Sequence, residues 1–205
     1  MRKVLRERDS NKMTQRIAIT MGDPAGVGPE VIASAMESGD LYAAQDNLTA
    51  VVLGHSEILQ RAFRLIGSQR SVVPITCIEQ FLELPTETQR SNVYCLNCMS
   101  DESTLVPPGV VDARGGQAAF EAVAAAAQLA LTGQIDAMVT APLHKEALHA
   151  AGHHWPGHTE MLADLCGVDS VAMMLYLPPF DPNDPTVATL PPRLRLGELG
   201  LGIGH

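Results

Sequence analysis

The sequence predicts an α/β fold of three layers with a mostly parallel sheet, on three observations. Short runs rich in Val, Ile and Leu alternate with stretches of helical period along most of the chain. That is the order expected when helices cross between parallel strands. A long alanine-rich stretch, Arg114 to Leu131, has high helix propensity and small side chains that allow close packing. The chain is 46% hydrophobic but only 4% aromatic, so its core is expected to be aliphatic.

Taken in order, Arg16 to Thr20 reads as the first strand. Pro29 to Met36 reads as a helix, with proline in the first turn, where its missing N–H costs nothing. Leu48 to Leu53 is a second strand, and Ser56 to Ile66 a second helix with Ser56 or His55 near its start. Val72 to Thr76 and Val93 to Leu96 are further short strands. The alanine-rich helix ends at Gly133, the residue type that closes a helix in the left-handed conformation. Asp136 to Thr140 and Ser170 to Leu177 are two more strands.

This pattern divides the chain into three regions. Residues 1–15 are charged and lack the apolar stretch of a secretory signal; they read as a disordered extension or an early start codon before Met13. Residues 16–177 form the α/β region. Residues 178–205 form an atypical tail: six of the fourteen prolines fall between Pro178 and Pro192, which bars a central strand there.

A net charge of −9 argues against a nucleic-acid partner, whose binding surface is basic. The longest apolar runs are too short for a membrane span, so a cytoplasmic protein is expected. Cys95-Leu-Asn-Cys98 is a lone C-x-x-C. With no second pair at zinc-finger spacing, the four cysteines read as ordinary reduced thiols.

Two segments carry chemistry. Val139 to Leu162 holds five of the seven histidines, His144, His149, His153, His154 and His158, beside Thr140, Lys145 and Thr159. A strand runs into Thr140-Ala-Pro, a short helix comes next, and Gly157-His158-Thr159-Glu160 opens another helix. Such groups at the carboxyl ends of strands suit a small anionic substrate. The second segment is Thr20-Met-Gly-Asp-Pro-Ala-Gly-Val-Gly-Pro-Glu30, between the first strand and the first helix. It matches neither the P-loop nor the dinucleotide G-x-G-x-x-G pattern, so on glycine content alone a plain tight turn is the better reading. The histidine spacing is not H-E-x-x-H, and no metal ligand is assigned from it.

Together, G-D-P-A-G-V-G-P-E and V-T-A-P-L-H-K-E-A-L…G-H-T-E-M-L-A resemble the 4-hydroxythreonine-4-phosphate dehydrogenase family of pyridoxal phosphate biosynthesis. The resemblance runs from about Arg16 to Leu177. It implies an isocitrate/isopropylmalate dehydrogenase-like fold, incomplete here at its C-terminus, and a homodimer of two-domain subunits. It also implies NAD- or NADP-dependent oxidation, with decarboxylation, of 4-phosphohydroxy-L-threonine or a related four-carbon hydroxy-acid phosphate. A divalent metal (zinc, magnesium or cobalt) belongs to the same picture. Residue by residue, the family's substrate-binding G-H-T pair falls on His158 and Thr159. Lys145 matches a lysine that could serve phosphate or pair with a carboxylate, and Thr140 and Asp23 match positions that are structural or cleft-lining.

One departure stands beside the match. The family's three metal-binding histidines lie downstream of G-H-T-E, the first expected near Thr189, where this chain reads Val187-Ala-Thr-Leu-Pro-Pro. The resemblance therefore implies a chain truncated or frameshifted after about Leu190. The alternative function is an inactive fragment or small-molecule-binding remnant without the metal site, showing negligible NAD reduction by itself.

Overall fold

The computed structural model describes residues 14–43, 47–169 and 171–172. The chain divides into two units, residues 1–170 and 171–205, and every helix and strand described lies in the first. The expected N-terminal extension, most of the strand expected over Ser170 to Leu177, and the proline-rich tail lie outside the described residues. Val171 and Ala172 are in no regular element.

The elements run β1 (Gln15–Thr20), α1 (Gly28–Ser38), α2 (Asp40–Ala43), β2 (Leu48–Gly54), α3 (Ser56–Leu65), β3 (Val72–Ile75), α4 (Glu79–Leu82) and α5 (Thr86–Ser91). Then come β4 (Val93–Asn97), a 3-10 turn (Asp101–Leu105), α6 (Ala113–Leu131), β5 (Ala137–Thr140), α7 (Lys145–Ala150) and α8 (His158–Cys166). The five strands form one sheet in the order β3-β4-β2-β1-β5, and every pairing is parallel. Central β2 is buried along its whole length, as expected for a strand covered on both faces. β5 pairs with β1 and lies at an edge of the described sheet, where Val139 is 52% exposed.

Side-chain alternation along the strands makes the layers. Ile19, Ala50, Val52, Val93 and Cys95 face one side and pack on α1 and α3 through Ile32, Met36, Leu59 and Phe63. Ala18, Val51, Leu53, Tyr94 and Leu96 face the other and pack on α4 and α6 through Phe81, Ala126 and Leu129. Ala118 and Ala122, earlier on α6, join the first cluster, so this one helix serves both cores. The core is aliphatic and alanine-rich, as the composition predicts.

Helix ends obey local chemistry. The His55 ring nitrogen Nδ1 accepts the Glu57 N–H (3.3 Å) at the start of α3. Asp112 caps α6 by accepting the Arg114 N–H (2.8 Å). The Arg114 guanidinium grips both carboxylate oxygens, which with the cap bond lowers the carboxyl pKa to about 2. At the far end, Gly133 (φ 73°) lets its own N–H reach Ala130 O and the Gln134 N–H reach Leu129 O, satisfying two orphan carbonyls.

The strand and helix limits fall within one or two residues of expectation. The exceptions are α2, α4, α5 and the 3-10 turn, none assigned from sequence. Each is four to six residues long, too short to show a helical period. α5, Thr-Glu-Thr-Gln-Arg-Ser, contains no apolar residue.

Candidate functional site

The two chemistry-bearing segments meet where β1 and β5 end. Thr20 and Thr140 are register partners, and the Ala141 N–H donates to Thr20 O (3.1 Å). From there the glycine-rich loop and the Thr140-Ala-Pro segment run side by side. The Asp23 N–H donates to Pro142 O (3.0 Å). Gly22 takes φ 71°, and any side chain there would run into the carbonyl oxygens of Ala141 and Pro142. Asp23 is buried; its Oδ1 accepts the Ala25 N–H (2.9 Å) and lies against Gly115 in the first turn of α6. The loop's N–H groups at Asp23, Ala25 and Gly26 are thus all satisfied internally. That is the geometry of a tight turn that ties β1, β5 and α6 together, and those three groups are not free to cradle an anion.

The histidine segment is built on α6. Gly116 brings α6 so close to α7 that an added Cβ would strike the Ala147 carbonyl. α7 is followed by a turn at Gly152 (φ 89°), which passes the chain back across α6. There the His153 ring stacks on Phe120 (centroids 3.9 Å apart), with Trp155 at 5.6 Å from both. His153 Nε2 lies 2.8 Å from the Gln117 carbonyl oxygen, which can only accept, so this nitrogen carries the proton. The Gln117 amide donates to Glu121 Oε1 (3.0 Å), and Glu121 Oε2 accepts the Ser100 N–H (3.0 Å). Burial, and then the neighbouring His154, lower the His153 pKa against the pull of Glu121.

Gly157 precedes α8 in an extended conformation without capping it, and His158 and Thr159 form its first turn. Both are half-buried. The His158 Nε2 atom is buried and has no hydrogen-bond partner, and desolvation lowers the ring's pKa, favouring neutral imidazole. Lys145 is exposed at the start of α7, and Thr140 is half-buried at the end of β5. α7 and α8 both pack on α6. No hydrogen bond or ion pair among the described residues joins Lys145 to His158 or Thr159.

Two groups passed over in the sequence share the orphaned character of His158. Thr20 Oγ1 and Glu30 Oε2 are both buried without a partner. They bracket the glycine-rich motif, and a hydroxyl directly after the apolar run Ile17-Ala-Ile19 was the available signal. An open cleft of about 450 Å³ between the 3-10 turn, α6 and α7 is lined by Ser103, Arg114, Gln117 and Glu121 among others, and by none of the expected site residues. Among the described residues no group of three or more His, Cys, Asp or Glu could hold a metal ion. Cys95 and Cys98 are free; burial pushes the Cys95 thiol up strongly and Cys98 to about 12. No helix among the described residues is long and apolar enough to cross a membrane.

Comparison with known proteins agrees with this architecture. A 4-hydroxythreonine-4-phosphate dehydrogenase of Trichlorobacter lovleyi is 40% identical over 165 residues, which cover 80% of this chain and 47% of that protein. A D-threonate 4-phosphate dehydrogenase of Pectobacterium atrosepticum is 38% identical over 166 residues, covering 80% of this chain and 48% of the relative. The crystal structure of a 4-hydroxythreonine-4-phosphate dehydrogenase from Burkholderia phymatum superposes with a TM-score of 0.69 at 40% identity. It covers 80% of this chain and 47% of that one. The chain spans about half the length of the curated relatives it matches. Residues 46–181 match the model of the pyridoxal phosphate biosynthetic protein PdxA, and the chain belongs to that family.

Proposed function

We propose that this chain supplies the substrate-binding half of a cytoplasmic, homodimeric oxidoreductase. Its substrate is a four-carbon hydroxy-acid phosphate, 4-phosphohydroxy-L-threonine or a relative such as D-threonate 4-phosphate. NAD or NADP accepts the hydride from the substrate's secondary alcohol. The observation that carries this reading is His158 Nε2, a buried polar atom with no partner, next to Thr159 at the start of α8. Leaving such an atom unpaired costs about 1–3 kcal/mol. A ligand hydroxyl or phosphate oxygen would recover that cost. A neutral imidazole can donate to or accept from a substrate hydroxyl, and the Thr159 hydroxyl can do the same. Lys145, exposed on α7, offers a cation for phosphate or carboxylate. Thr140 and Asp23 contribute the frame on which these elements sit.

A divalent metal belongs to the family resemblance, and no group of three or more His, Cys, Asp or Glu that could hold it occurs among the described residues. Its first expected position, Thr189, lies outside them, and no chemical step is assigned to a metal here. The glycine-rich turn likewise offers no open N–H cradle at Asp23, Ala25 or Gly26 for a cofactor phosphate.

Calorimetric titration of the chain with 4-phosphohydroxy-L-threonine and with D-threonate 4-phosphate tests the reading. One of them should bind, and His158→Ala and Thr159→Val should each weaken binding by roughly tenfold, the loss of about 1.4 kcal/mol. Equal affinity in wild type and both variants would refute the assignment. Binding with no reduction of NAD or NADP would identify this polypeptide as a binding remnant.

A further inference from the structure

We propose that His149 and His154 form a binding site for a single divalent transition-metal ion of the zinc class. Both side chains are exposed, and their ring centroids lie 5.5 Å apart at 51°. Two imidazoles sharing a tetrahedral zinc, with Zn–N bonds of about 2.0–2.1 Å, place their ring centres roughly 5 Å apart. The pair already stands close to that separation.

A carbonyl orients one of the two rings. His149 Nε2 lies 3.4 Å from Trp155 O, a long contact in which the oxygen can only accept. The proton therefore sits on Nε2, and Nδ1 keeps its lone pair. A histidine that ligates metal commonly donates its other N–H to a carbonyl or carboxylate in this way.

The backbone on both sides of the pair is anchored. His149 lies on α7, which is seated on α6 by the close approach at Gly116. His154 lies between His153 and Trp155, and both of those rings stack against Phe120. With its neighbours turned inward, His154 is left exposed, facing His149. Ordering the two ligands in advance lowers the entropy cost of binding. Two protein ligands leave the remaining coordination positions to water, so the site binds exchangeably rather than as a closed structural centre. Imidazole nitrogen selects zinc, copper or nickel over magnesium and calcium.

The test is calorimetric titration of the full 205-residue chain with Zn²⁺, with Mg²⁺ as control. Wild type should take up one equivalent of zinc that is lost in the double variant His149→Gln/His154→Gln. Each single variant should weaken binding at least about tenfold. His144→Gln, just before α7, should bind as wild type does. As a readout free of substitutions, one equivalent of zinc should shift the ring resonances of His149 and His154 in NMR spectra and leave those of His55 in place. Undiminished uptake in the double variant would overturn the proposal. So would the absence of saturable uptake by wild type, or zinc shifts confined to other histidines.

Discussion

Replacing Gly116 with alanine separates two opposed expectations. On helix propensity alone, alanine in the interior of α6 should stabilise the chain by about 1 kcal/mol. The contact with α7 predicts the reverse. A Cβ at position 116 would strike the carbonyl carbon and oxygen of Ala147 and the nitrogen of Leu148, which are backbone atoms with no rotamer to escape into. α7 would have to withdraw as a unit, loosening Ala147 and Leu148, which are 0% and 1% exposed. Overpacking of this kind typically costs about 1–3 kcal/mol. Net of propensity, Gly116→Ala should lose up to roughly 2 kcal/mol. For a domain of this size that lowers Tm by several degrees, at about 2–4 °C per kcal/mol. Urea unfolding is the assay, read as a lower midpoint at unchanged slope. Hydrogen exchange should speed up in α7 before it does in β2. A Gly116→Ala chain more stable than wild type would refute the close approach of α6 and α7.

The remaining predictions concern charge, capping and thiols. His153 and His158 both have pKa values lowered by burial, so the unfolded chain binds more protons near their ordinary value. Their contribution to stability should be complete above about pH 6.5 and lost as pH falls toward the folded values, and His153→Gln should flatten that decline in urea midpoints. His55→Ala removes both the α3 cap and the contact to Asp101 (3.2 Å). It should cost about 0.5–2 kcal/mol by urea unfolding, and no loss would remove His55 from that role. In native labelling with iodoacetamide and mass spectrometry, exposed Cys77 should react well before Cys95 and Cys98, whose buried thiols resist ionisation. Fast labelling of Cys95 would contradict its place in the core.

What could be read directly from the chain were features carried by neighbouring residues. The parallel α/β alternation, the run of α6 to Gly133, the start of α3 at His55, and the entry into α8 at Gly157 each depend on a local period or cap, and each appears where expected. The absence from Gly22 to Gly28 of the residues a phosphate loop needs was also legible, and the N–H groups of Asp23, Ala25 and Gly26 are bonded within the protein.

Only the tertiary structure decided which groups meet. Strand order 3-4-2-1-5 brings Thr20 beside Thr140, more than a hundred residues apart, because burial of both sheet faces selects the pairing and no local signal encodes it. The same distance hid the roles of the histidines. His153 stacks on Phe120 and hydrogen-bonds Gln117, His149 and His154 became neighbours at the surface, and His158 alone kept a buried, unpartnered nitrogen. Five similar side chains within one short segment could not be told apart by spacing. What distinguishes them is what each ring meets in the folded chain, and the close packing of α7 on α6 at Gly116 is part of what sets it.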